Sequence, residues 1–219
     1  MTTYFTLTTI TELICFLTAC FCLFSDSSLV WRLMVVYLFL TCVTEIGGAY
    51  ISGPQFSVNN HWIYNAFLLC EIGFTHSMFF HLLSFYINCK PVIMVGLTGI
   101  IVIYIIETIN HGFLEYNNAS YSVMSVCYVL YCFCYFYFLH KDDQYINLKY
   151  SPEFWWVVGS LFFYFVVTAA NLFRSYLATA VLSNGHHLSY YIFRILNVLL
   201  YGCWTYSFIC RKWAKTSKN

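Results

Sequence analysis

Six ionisable side chains, Glu12, Glu45, Glu71, Glu107, Arg174 and Arg194, sit in stretches of this chain that are otherwise strongly apolar. A charge in such a stretch is costly, so it normally faces a bundle interior or a cavity, where it pairs, binds or relays a proton. Polar neighbours recur around these charges at helical spacing. His187, Tyr190, Arg194, Asn197 and Tyr201 are three or four residues apart and form one stripe, and Thr168, Asn171, Arg174 and Ser175 share another face. His61, Asn65, Glu71, Thr75 and His76 fall on one broad side, while Thr41 and Thr8 each stand one turn from Glu45 and Glu12. The candidate ligand-binding set is therefore Glu12, Glu45, Asn65, Glu71, His76, Asn171, Arg174, Tyr190, Arg194, Asn197 and Tyr201. Arg174 and Arg194 suit an anionic group, with Glu45 and Glu71 orienting them or holding a cationic part. Glu71 is the expected ion-pair partner of Arg194. A purely structural network of buried pairs that fixes helix register would use the same residues without a ligand. Glu107, close to a helix end, can simply reach the interface.

Several other chemistries can be weighed against these residues. A retinal pigment needs a lysine in mid-membrane, and every lysine here lies outside the apolar stretches. Ser77 and His81 have the spacing of a histidine motif in ceramidase-like membrane hydrolases, but on an ideal helix they point about 100–180° away from Glu71 and His76. No second His-x-x-x-His follows, so no metal site is expected. The 11 cysteines fall almost entirely in apolar runs without a CxxC pair and read as small buried hydrophobes. An intramembrane cyclase or isomerase acting on a lipid or isoprenoid is an alternative, with Glu45 or Glu71 as general acid and aromatic rings stabilising a cation. A small proton-coupled transporter is a second alternative, although neither inverted repeats nor broken helices are evident. No cofactor is expected.

The elements that must position these groups are membrane helices. Hydrophobic residues make up 61% of the 219-residue chain and charged residues 9%, against about 25% charged in a soluble domain. Mean hydropathy is +0.70. The net charge of +1 gives no basic face for nucleic acid. Stretches long enough to cross a bilayer cover roughly 4–24, 29–50, 62–87, 92–109, 120–140, 154–179 and 188–210. Turn residues separate them, and Ser151-Pro152-Glu153 has the order of a helix start. The expectation is an all-α, seven-transmembrane-helix bundle forming one domain over 1–219. Arg32, Lys90, Lys141, Lys149, Arg211, Lys212, Lys215 and Lys218 all fall on one side of such a bundle. That side is cytoplasmic by the positive-inside rule, which puts the N-terminus out and the C-terminus in. All six buried charges then lie in the outer half, with Glu12 roughly 12 Å and Glu71 roughly 14 Å below the surface.

Three stretches carry a likeness to known proteins: NHWIYNAFLLCE at 60–71, PEFWWVVGSLFFY at 152–164, and ILNVLLY at 195–201 with Phe208 and Cys210 beyond it. Together they resemble a family of small, largely uncharacterised bacterial seven-helix membrane proteins, often encoded beside sensor histidine kinases. The resemblance covers most of the chain and implies a multi-pass protein of the bacterial inner membrane. It brings no catalytic motif and no site residue. The functional expectation is a receptor or sensor accessory in the lipid bilayer. It binds a small ligand in an outward-facing polar pocket and signals to a membrane or cytoplasmic partner such as a histidine kinase.

Overall fold

The computed structural model describes residues 6–53, 59–142, 147–173, 177 and 188–216, and every regular element among them is helical. In chain order these are α1 (Leu7–Leu23), α2 (Leu29–Ile51), α3 (His61–Leu83), α4 (Lys90–His111) and α5 (Asn118–Lys141). After a short 3-10 turn at Leu148–Tyr150 come α6 (Pro152–Leu172) and α7 (Leu188–Thr216). The six helices α2 to α7 are long and apolar enough to cross a membrane, and α1 is an apolar helix of 17 residues.

The helix boundaries follow local chemistry. Thr6 caps α1 by accepting the Thr9 N–H at 3.3 Å, which satisfies one donor that a helix start leaves open. α6 opens as its sequence order suggests. Ser151 Oγ accepts the Phe154 N–H at 3.3 Å, Pro152 needs no donor there, and Glu153 stands near the positive end of the helix dipole. Two boundaries differ from the hydropathy limits. α3 ends at Leu83, and residues 84–87 form tight turns through Ser84 N–H to Phe80 O and Tyr86 N–H to Leu83 O. Hydropathy persists there because Tyr86 and Ile87 still pack on the core. α7 runs on past its apolar part to Thr216, since Arg211, Lys212 and Lys215 are good helix formers with partners of their own.

Each helix packs on its neighbours in the chain, α3 also touches α5, and α7 returns to lie along α1 and close the ring. α6 and α7 approach closely. A Cβ built on Gly159 would stand 2.8 Å from Cys203 Cβ, so only glycine permits this spacing. Trp156 and Trp204 stack there with centroids 5.6 Å apart, and Trp204 Nε1 donates to Trp156 O at 3.2 Å. Ser207 Oγ donates to Pro152 O at 2.7 Å. Outside the ring, Phe21, Phe24, Val95, Ile109 and Leu172 are largely exposed, and α4 buries only Ile93, Ile100 and Tyr104. An apolar exterior around a partly polar interior is what a multi-pass membrane bundle requires.

The end of α1, the start of α6 and the end of α7 meet at one end of the bundle, where Arg211 and Lys215 gather with Asp26 and Glu153. Arg211 Nε lies 3.2 Å from Asp26 Oδ2, its Nη1 lies 3.1 Å from Glu153 Oε1, and Lys215 Nζ is 3.2 Å from the same Asp26 oxygen. The guanidinium also covers the Trp31 ring at 5.1 Å. Burial pushes the Asp26 carboxyl up, but Arg211, the Ser28 N–H and Lys215 outweigh that and hold it below the ordinary carboxylate range.

At the opposite end, Asn65 near the start of α3 organises the α4–α5 loop. Its Nδ2 donates to Phe113 O at 2.8 Å and to Glu115 O at 2.6 Å, and its Oδ1 accepts the Asn117 N–H at 3.1 Å. Glu107 caps α5 by accepting the N–H groups of Ala119 and Ser120, each at 2.9 Å, and the Ser120 hydroxyl at 2.6 Å. Negative charge at a helix N-terminus is favourable, so Glu107 has a structural task.

Candidate functional site

Helical spacing brings three of the buried carboxylates to one place. Glu12 on α1, Glu45 on α2 and Glu71 on α3 line a partly enclosed cavity of about 270 Å³, in the half of the bundle away from the Asp26–Arg211 end. α2 supplies Tyr37, Thr41 and Glu45 at four-residue steps, and α3 supplies Tyr64, Phe67, Leu68 and Glu71 at three- and four-residue steps. Phe193, Asn197, Leu200 and Tyr201 enter from α7, Tyr121 from α5, and Phe163 and Tyr164 from α6. Tyr116 joins them from the loop that Asn65 holds. Six tyrosines and three phenylalanines therefore surround three glutamates. Gly48 leaves room for one of these rings, since a Cβ there would come within 2.8 Å of the Tyr64 hydroxyl.

The three carboxylates differ in their surroundings. Glu71 accepts a hydrogen bond from the Tyr164 hydroxyl at 2.7 Å, entirely within the core. Glu12 is 2% exposed; Tyr201 stands beside its carboxyl, and its Oε2 has no hydrogen-bond partner. Glu45 lines the same cavity from α2 and is less buried than Glu12. No lysine, arginine or histidine is among the described residues that line the cavity.

Of the candidate residues, Glu12, Glu45, Glu71, Asn197 and Tyr201 meet at this cavity. The others have different surroundings. Asn65 ties down the α4–α5 loop, and Asn171 Nδ2 donates to Ser122 Oγ at 3.1 Å, joining α6 to α5. His76 is buried on another side of α3, with Nδ1 2.8 Å from Ile72 O and 3.1 Å from the Tyr128 hydroxyl. Arg194 lies over the Tyr190 ring at 5.4 Å and forms no ion pair among the described residues, so the expected Arg194–Glu71 pair is replaced by the Tyr164 hydrogen bond. A neutral hydroxyl satisfies a buried carboxyl without the cost of stripping water from a guanidinium as well. Arg174, His186 and His187 lie outside the described residues.

The site residues that charge counting missed are the rings, Tyr37, Tyr64, Tyr116, Tyr121, Tyr164, Phe67, Phe163 and Phe193. Spacing could have found half of them. Tyr37 is eight residues before Glu45, Tyr64 and Phe67 are seven and four before Glu71, and Phe193 is four before Asn197. In a chain with 20 tyrosines and 22 phenylalanines, though, an aromatic at helical spacing carries little information.

Fold and site together define a multi-helix membrane bundle with an acidic, aromatic-walled cavity near one end. No family model, curated protein or solved structure matches the chain.

Proposed function

We propose that this protein is a membrane receptor or sensor accessory with seven spans, α1 being the first. Its N-terminus faces outwards and its C-terminus the cytoplasm of a bacterial inner membrane. The concentration of lysine and arginine at the Arg211 end supports that orientation. One observation carries the reading: α1 and α7, which contribute to the cavity in the half of the bundle away from that end, also lead into the ion network. α1 supplies Glu12 to the cavity and leads into Asp26, while α7 supplies Phe193, Asn197 and Tyr201 and then Arg211 and Lys215. A ligand that moves α7 against α1 at one end would therefore act on the ion pairs at the other. A partner such as a histidine kinase would read that change.

The test places a photoreactive residue at Trp213, which is exposed on the last turns of α7, in cells carrying the native gene neighbourhood. A sensor accessory gives a discrete crosslinked protein whose yield changes with Glu12→Gln. Turnover of labelled lipid by purified protein, lost on Glu45→Gln or Glu71→Gln, would replace this reading with the intramembrane enzyme.

A further inference from the structure

We infer that the cavity binds a small organic ammonium ion, whose charge is held between Glu12 and Glu45 and whose carbon groups rest on the surrounding rings. The inference depends on the receptor reading and assigns the class of its ligand.

Charge balance is the first support. The lining holds three carboxylates and, among the described residues, no cationic side chain. Glu71 is served by Tyr164, whereas Glu12 Oε2 is buried at the cavity wall without a partner. A buried carboxylate oxygen left without a partner is costly, and a cation beside the carboxylate offsets that cost through its charge. Glu12 and Glu45 line the same cavity, so a cation held there attracts both carboxylates at once.

The walls are the second support. Cations are drawn to the faces of tyrosine and phenylalanine rings, most strongly where water is scarce, and quaternary ammonium ligands are commonly held in such aromatic cages. Tyr37, Tyr64, Tyr121, Tyr164 and Tyr201 come from five different helices, so the rings enclose the space from several directions. An inorganic ion fits less well. Among the described residues no three His, Cys, Asp or Glu side chains lie close enough together to ligate a metal. An anion fits worse still, because Arg194 lies on Tyr190 and outside the lining. The volume of about 270 Å³ falls near the lower end of ligand pockets, at roughly 300 Å³, and limits the ligand to a small molecule.

The experiment uses the full chain in nanodiscs and equilibrium dialysis, with empty nanodiscs correcting for partition into lipid. Three probes of similar shape are compared: benzyltrimethylammonium, its neutral isostere neopentylbenzene, and phenylacetate. We expect benzyltrimethylammonium to bind at least tenfold more tightly than either of the others. Glu12→Gln should weaken it at least tenfold while leaving the neutral isostere unaffected. Glu45→Gln, at a less buried position, supplies the same readout if the first variant does not fold. Equal binding of the neutral isostere, or tighter binding of phenylacetate, would overturn the ammonium assignment and leave the receptor reading intact. Undiminished ammonium binding in both glutamine variants would overturn it as well. Binding of none of the three would count against the receptor reading itself.

Discussion

Replacing Asp26 by asparagine removes one charge from the ion network and little else, since the side chain keeps its shape and can still accept the Ser28 N–H, now 2.7 Å away. Asp26 is fully buried, while its partners Arg211 and Lys215 retain 21% and 38% side-chain exposure. Breaking a fully buried pair costs about 3–5 kcal/mol. Here both cations can turn towards water, and Arg211 keeps Glu153 at 3.1 Å, so about 2 kcal/mol is the better expectation. At roughly 2–4 °C per kcal/mol for a chain of this size, the midpoint of thermal unfolding should fall by about 4–8 °C. Arg211→Gln should cost somewhat more, because it also removes the contact with Trp31. The double variant should then recover about 1–2 kcal/mol relative to the sum of the singles. The dependence on pH has a definite sign. The Asp26 carboxyl lies below its ordinary value in the folded protein, so its contribution is complete above the unfolded value near 4 and is lost as pH falls through the folded one. Thermal unfolding in detergent should therefore show wild type and Asp26→Asn separated at pH 7 and converging as pH falls below about 4. Strict additivity in the double variant, or a gap that widens in acid, would refute the assignment of this network.

Arg194→Ala should leave detergent-solubilised stability within about 1 kcal/mol of wild type, because among the described residues its contact is a cation–π one with Tyr190, itself 42% exposed; the same unfolding assay decides it. Gly159→Ala should destabilise by about 1–3 kcal/mol, because the new methyl meets Cys203 on α7 and α6 must move away. Fluorescence of the stacked pair Trp156–Trp204 would report that movement. A reporter fused after Asn219 should be active only in the cytoplasm and one inserted at Asn117–Asn118 only outside; an externally active C-terminal fusion would invert the bundle.

The sequence makes the bundle legible because hydropathy states where a helix must lie and says nothing that a neighbour can contradict. Convergence of Glu12, Glu45 and Glu71 was legible too, since the alternating direction of the helices fixes relative depth. What sequence could not give was rotation. The polar stripe from Tyr190 to Tyr201 is broader than the cavity, so Asn197 and Tyr201 reach it while Tyr190 and Arg194 turn aside. His76 and Glu71 looked like one broad face of α3, and packing separates them. Asp26 looked like a turn residue and the basic tail like a topology signal. Neither description reveals that the two groups meet across 185 positions of chain.

The unequal lengths of α1 and α7 carry a consequence for the lipid around them. With 17 residues α1 rises about 26 Å, and with 29 residues α7 rises about 44 Å, although the two lie side by side. In the seven-span reading proposed above, a hydrocarbon layer about 30 Å thick overreaches α1, whereas α7 crosses it and carries its basic last turns beyond it. The bilayer beside α1 must thin, or the residues that flank α1 must reach for the interface, and either adjustment costs fractions of a kcal/mol per ångström of mismatch. Glu12 rides on that helix, so acyl-chain length becomes an input to the same carboxylate that lines the cavity. Reconstitution in lipids of graded chain length should shift thermal stability with an optimum on the thin side.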